Sequence, residues 1–338
     1  MGCCVPETIL GENGLVARMH PSLESLRLVT DPTCDSLSWL RGGTSCAKMD
    51  LSSFRNLRSI CWKGPANTDH HLIGTVIKNN AQHLDSLELD LIYWCDEEPP
   101  SDVYDHSHRG HHGNAGYLSY AMKMHQNAPQ PVFQNLTSLV LAYAPLGPAM
   151  VDMINFEVLR SLTLRLCPDW PKFTQRIVEM GLPVKLKTLE LHHNLKIATE
   201  TAQAELGPSS DRPIRQSEVE SFIDVCGGLE ELFLNLPKPV DAWSLWKHIA
   251  RHEASLKRLM LHHRTPYCNQ THLAGEEVDL PNLGLTVFED RLYFPSSQSP
   301  LGELKLECIS LCCFPDLAVR EARDLGKPDT DVFYRSSC

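Results

Sequence analysis

The hydrophobic positions of this chain follow one short phrase, L-x-x-L-x-L, that returns from one end to the other. It stands at Leu23/Leu26/Leu28, Leu84/Leu87/Leu89, Leu136/Leu139/Leu141, Leu159/Leu162/Leu164 and Leu186/Leu189/Leu191. It continues at Leu229/Leu232/Leu234, Leu256/Leu259/Leu261 and Leu301/Leu304/Leu306, and a degenerate copy lies at Leu57/Ile60/Trp62. Within each copy the last two apolar residues alternate with other side chains, which is the period of a strand. A row of inward leucines on a strand this short cannot be buried by one unit, so the units must stack. Three of the intervals between first leucines, such as Leu57 to Leu84, span 27 residues; the longer ones read as a repeat carrying an insertion or hiding a weaker copy.

Between the strand phrases the apolar period lengthens toward 3.6, as a helix requires. Leu72, Ile73, Val76 and Ile77 share one face in "HHLIGTVIKNNA". In "SEVESFIDVCGG", Ser217 and Glu220 have the spacing of a capping box, Val219, Phe222, Ile223 and Cys226 form a stripe, and Gly227 is placed to end it. "DAWSLWKHIARHE" offers Asp241 as N-cap, with Leu245, Trp246 and Ile249 turned inward, and "WPKFTQRIVEMG" runs from Pro171 to Gly181. A strand for each phrase and a helix behind several of them predict an α/β solenoid, with a curved parallel sheet on the concave side and helices and irregular segments on the convex side. The expected organisation is an N-terminal segment over 1–20, a single repeat domain over 21–312 with a mobile His-rich insertion at 96–131, and a C-terminal tail over 313–338.

The residues alternating with the inward leucines face outward. The first outward row reads Ser25, Ser59, Ser86, Ser138, Ser161, Thr188, Glu231, Arg258 and Glu303, and its small hydroxyls suit a tightly curved ladder. The next two rows mix both charge signs with apolar and aromatic groups. From them come the candidate partner-binding positions: Arg27, Lys63, Glu88, Asp90, Arg165, Glu190, His192, Phe233, Asn235, Met260 and His262. Apolar anchors among polar contacts suit a protein or peptide ligand. The paired histidines of "LELHHN" and "LMLHHR" fall on the same frame. His192 and His262 share an outward row about two strand spacings, roughly 10 Å, apart, too far to share a metal comfortably, while His193 and His263 point the other way.

Composition narrows the classes. The 338-residue chain carries a formal charge of −11, against the basic face a nucleic-acid partner needs. No apolar run reaches the length of a membrane span, and "MGCCVPETILGEN" has neither the basic region nor the apolar core of a secretory signal, so a cytoplasmic or nuclear location is expected. The 13 cysteines are odd in number and scattered, without a C-x-x-C, which suits reduced thiols. Acylation at "MGCC" through Gly2, Cys3 and Cys4 is a second reading, although Pro6 stands where the myristoylation pattern has Ser or Thr.

Candidate chemistry is sparse. "DVYDHSHRGHHGN" gathers Asp105, His106, His108, His111 and His112, a donor set for zinc or copper, yet without a second cluster at structural-zinc spacing. The segment is read as an excursion with no metal and no cofactor assigned. No G-x-S-x-G, P-loop, G-x-G-x-x-G or H-E-x-x-H occurs. An enzyme with a spatially assembled, unrecognised site is the remote alternative. Of the Asn-x-Thr sequences at Asn135 and Asn269, the first sits inside a leucine row, an awkward place for a glycan.

Taken together, "NLTSLVL", "LRSLTLRLC" and the irregular spacing resemble the leucine-rich repeat superfamily, and Cys167 stands where such repeats carry Asn or Cys. Over roughly residues 21–311 the likeness is to the substrate-recognition half of fungal F-box proteins. That resemblance implies a non-catalytic protein-recognition scaffold, with a protein partner on the concave face and ubiquitin-ligase components as associates. "VPETIL" has the shape of an F-box opening, but Gly11 and Gly14 interrupt it and the first repeat begins by Leu23. The adaptor-binding module is therefore expected to be missing. A membrane-tethered or metal-responsive protein remains the alternative.

Overall fold

A computed structural model describes residues 7–11, 14–19, 22–30, 49–65, 70–91, 112–123, 131–193, 216–237, 242–264 and 304–311. Among these described residues, nine strands form one open, wholly parallel sheet in strict chain order. They are β1 (Ser25–Val29), β2 (Ser59–Lys63), β3 (Ser86–Asp90), β4 (Ser138–Ala142), β5 (Ser161–Arg165), β6 (Thr188–His192), β7 (Glu231–Pro237), β8 (Arg258–Arg264) and β9 (Cys308–Leu311). Helices are interleaved: α1 (Glu7–Leu10), α2 (Leu15–Met19), α3 (His70–Asn80), α4 (His112–Ala121), α5 (Trp170–Met180), α6 (Gln216–Val225) and α7 (Ala242–Ile249). Strands in sequence order with helices between them make a solenoid-like α/β arrangement.

The register follows the leucine frame from copy to copy. Leu26, Ile60, Leu87, Leu139, Leu162, Leu189, Leu232 and Leu259 pair in one inward row, and Leu28, Trp62, Leu89, Leu141, Leu164, Leu191, Leu234 and Leu261 in the next. Both rows enter one core with the helix stripes, including Val76, Ile77, Phe173, Ile177, Phe222, Ile223 and Ile249. Each leucine so buried stabilises the fold by about 1.5–3 kcal/mol relative to exposure.

The ninth copy is out of the expected frame. β9 pairs Arg258 with Cys308, Leu259 with Ile309 and Leu261 with Leu311. The working phrase is therefore "LECISL", Leu306/Ile309/Leu311, and the outward positions are Cys308 and Ser310 in place of Glu303, Lys305 and Glu307. Leu304 is still buried, ahead of the strand.

Local polar groups seal the joints between repeats. Asn80, fully buried at the end of α3, accepts from the Leu57 amide at 2.8 Å and donates to the Phe54 and Val76 carbonyls at 2.8 Å each. Cys167 Sγ donates to the Leu141 carbonyl of the preceding strand at 3.3 Å. Gly64, Tyr143 and Leu166 each directly follow a strand with φ of 64°, 58° and 54°. The strain this imposes on Tyr143 and Leu166 is offset because their amides reach the next repeat, at Arg165 O and His192 O, both 2.9 Å away.

Three helix details depart from expectation. α6 begins at Gln216, so Ser217 lies inside the helix, and Glu220 accepts from Gln216 Nε2 at 2.6 Å instead of closing a capping box. The left-handed glycine after α6 is Gly228, φ 77°, while Gly227 donates to Val184 O at 2.7 Å. The third departure concerns the insertion, whose C-terminal part is packed: α4 places Tyr117, Leu118 and Ala121 in the core, and Met122 directly after it joins them. There α3 and α4 approach so closely that a Cβ on Gly74 would fall 1.8 Å from the Ala121 carbonyl oxygen. α5 keeps its expected end, closed by Gly181 in the left-handed region. Asp241, His263's side chain, His106, His108, His111, Cys3, Cys4 and the 313–338 tail lie outside what is described.

Candidate functional site

The outward rows of β1–β9 form a continuous face opposite the leucine core. Parallel pairing brings together side chains that are 23 to 52 residues apart in sequence, and it makes charges on neighbouring strands pair sideways. Lys63 Nζ on β2 lies 2.6 Å from Glu88 Oε1 on β3. Burial works against the Glu88 carboxylate, but hydrogen bonds from Lys63 and Cys61 hold its pKa below the ordinary value. The Cys61 thiol is pushed up by burial and by that carboxylate, so it is a weak nucleophile. Arg27 is exposed on β1, and Asp90 is half-buried beside Ala142.

A denser cluster spans β5–β9. Arg165 grips Glu190 with two hydrogen bonds, Nε to Oε1 at 2.7 Å and a terminal nitrogen to Oε2 at 3.1 Å. His192 Nε2 lies 3.0 Å from Glu190 Oε1, within ion-pair range though off the hydrogen-bond direction. Burial raises the Glu190 pKa, yet the close contacts with His192 and Arg165 outweigh it and bring the pKa to about 2. Glu190 is thus an ionised anchor, unsuited to proton transfer near neutrality.

Three rings stack across this part of the face. The His192 and Phe233 rings lie 4.5 Å apart and nearly parallel, at 11°. Phe233 and His262 follow at 5.5 Å and 41°, and His262 Nε2 sits 3.2 Å from Ser310 Oγ. Aromatic stacking of this kind contributes about 0.5–1.5 kcal/mol beyond area burial. Met260, half-buried, continues the apolar surface from Phe233 on the next strand. The two outward histidines of the repeated "HH" are therefore separated by a phenyl ring. Among the described residues, no three His, Cys, Asp or Glu side chains group around a metal-sized site.

The other half of the first pair behaves differently. His193 turns off the strand end, its Nδ1 accepting from Trp170 Nε1 at 3.3 Å, and burial lowers its pKa to about 4. Of the predicted positions, Lys63 and Glu88 come together, as do Arg165, Glu190, His192, Phe233 and His262. Asn235 does not belong with them: at 6% exposure it is buried, so it is removed from the binding set. Sequence reasoning missed Ser310 and the Glu231–Arg258 pair at 3.1 Å. Ser310 was detectable in the overlapping "LECISL" phrase; the pair needed the lateral register.

No protein-family model matches the chain, and no curated protein matches it either. Among the described residues no helix is long and apolar enough to cross a membrane.

Proposed function

We propose that this chain is a leucine-rich repeat protein whose open sheet face, the concave side of the repeat, recognises a protein partner without catalysis. The reading rests on one observation above all: a nine-strand face, held in register by the leucine ladder, presents Phe233 and Met260 among paired charges. Anchors of this kind in a polar surround carry most of the energy in protein interfaces. A role as a ubiquitin-ligase substrate receptor without an adaptor-binding module is the narrower form of the proposal, supported by the repeat phrasing alone.

The test is capture of partners by the full chain, in parallel with Phe233→Ala, Met260→Ala and a control on the helix side, Arg176→Ala. A partner retained by the wild type and the control but lost by both face variants is the expected result. Cullin-type ligase subunits in the same eluate favour the narrower form. Capture indifferent to Phe233 and Met260, or none, removes the reading.

A further inference from the structure

Three ion pairs bridge adjacent strands of the open face. Going across the sheet, Lys63 meets Glu88, Arg165 meets Glu190 and Arg258 meets Glu231, each pair formed between adjacent strands. A charged ligand group would have to displace one of these partners, losing one ion pair for each it gains. Beyond the Glu231–Arg258 pair, the outward side chains described on β7–β9 are Phe233, Asn235, Met260, His262, Cys308 and Ser310, none of them a carboxylate, amine or guanidinium; β8 ends on Arg264, in register with Pro237. The apolar part of the face thus lies toward the β9 end of the sheet, beside the Arg165–Glu190 and Glu231–Arg258 pairs.

That end is also rigid. Phe233 is held between two imidazoles, His192 is held beside Glu190, and Glu190 is held by two bonds from Arg165. An anchor fixed before binding loses little conformational freedom when a ligand arrives.

Resting on the reading that this face binds a protein, we propose that its occupant is an uncharged peptide segment with an aliphatic or aromatic side chain, seated on Phe233 and Met260 across β7–β9. Recognition is by apolar contact with imidazole edges at the rim. It is not by charge, although the chain as a whole carries −11.

The probe is a display library of random dodecapeptides, panned on the full chain at physiological ionic strength. Enriched sequences are expected to lack net charge and to share one large apolar residue. Their Kd should change less than about twofold between roughly 50 mM and 500 mM salt, because no new ion pair forms. Phe233→Ala should weaken them by about tenfold or more, as for a central anchor. Met260→Ser, a more conservative change to the fold, should weaken them in the same direction. Arg176→Ala, on the helix side, should leave them within about twofold, since an exposed side chain away from the face contributes little. Acidic or basic enriched peptides with steeply salt-dependent affinity overturn this inference while leaving the binding face intact. No enrichment, or binders indifferent to both Phe233→Ala and Met260→Ser, overturns the inference and the proposed function together.

Discussion

The two ends of the open face are built on the same backbone frame and reach opposite solutions. At β2–β3 the outward side chains form a single-contact ion pair, Lys63–Glu88, with side chains 31% and 29% exposed. At β5–β9 Arg165, 46% exposed, grips Glu190, 20% exposed, through two bonds, and three rings lie across the adjoining strands. The inward residues do not explain this: Leu87 and Leu189, Leu89 and Leu191 are equally buried at 0%. What differs is the volume between the leucines. One end has a single contact between two long flexible chains; the other sets flat rings beside a carboxylate held by two bonds. A repeat therefore specifies where outward side chains meet, and their chemistry decides whether the meeting is a solvated pair or a preorganised surface.

The largest expected effect probes what the ends share. Leu87→Ala and Leu189→Ala should each destabilise by about 2–5 kcal/mol in denaturant unfolding, since both create a cavity in the same ladder. Because each repeat touches only its neighbours, Leu189→Ala should also disturb the ring stack, read by near-ultraviolet circular dichroism, and Leu87→Ala should not. Equal loss of the aromatic signal from both would mean that the face behaves as one unit, and the contrast between its ends would fail.

Acid separates the ends next. His193 has a pKa of about 4 in the fold against 6.5 when unfolded, so between those values the unfolded chain binds more protons. Stability present above pH 6.5 is lost as pH falls toward 4, by up to about 3 kcal/mol. His252, buried against the Ile223 carbonyl, is shifted the same way by burial, so His193→Gln should remove part of the loss. Glu190 acts in a lower window: its folded pKa of about 2 lies below the ordinary 4.5, so its contribution is present above 4.5 and fades as pH falls toward 2. Thermal melts at pH 7, 5.5 and about 4.5 read the histidine window before the carboxylate one opens. A His193→Gln protein that loses as much stability between pH 7 and about 4.5 as the parent would exclude this account.

Much of the fold was legible because a leucine frame repeated eight times leaves little freedom: the outward rows Ser25 to Arg258 appear in register as written. The ninth copy failed where Leu301/Leu304/Leu306 and Leu306/Ile309/Leu311 overlap, and the phrase with three leucines outranked the one containing isoleucine although β-branching suits a strand better. The site was legible as positions and not as interactions. His192, Asn235 and His262 share a row, yet only the packed side chains show Phe233, from the neighbouring row, between the two imidazoles while Asn235 is buried. α4 escaped notice because a stretch rich in His, Gly and Asn has little apolar periodicity, while its fit against Gly74 depends on a contact far away in sequence.

The smallest effect gives the finest comparison, a double-mutant cycle at each end. At β2–β3, Lys63→Met and Glu88→Gln, singly and together, should yield a coupling of about 0.2–1 kcal/mol, the range of solvated pairs. At β5–β6, Arg165→Met and Glu190→Gln should yield more, about 1–2 kcal/mol, because the contact is bidentate and the carboxylate is shielded by its neighbours. High ionic strength should lower both couplings, since Arg165 at 46% exposure is no better covered than Lys63 at 31%; the two-bond geometry is what should keep the second larger. The His192 contact complicates the second cycle, since Glu190→Gln also removes the charge beside that ring. Repeating the cycle in a His192→Gln background isolates the Arg165 share. Couplings of equal size at the two ends would show that the second bond and the rings add nothing, and the preorganised surface would reduce to a second single-contact pair.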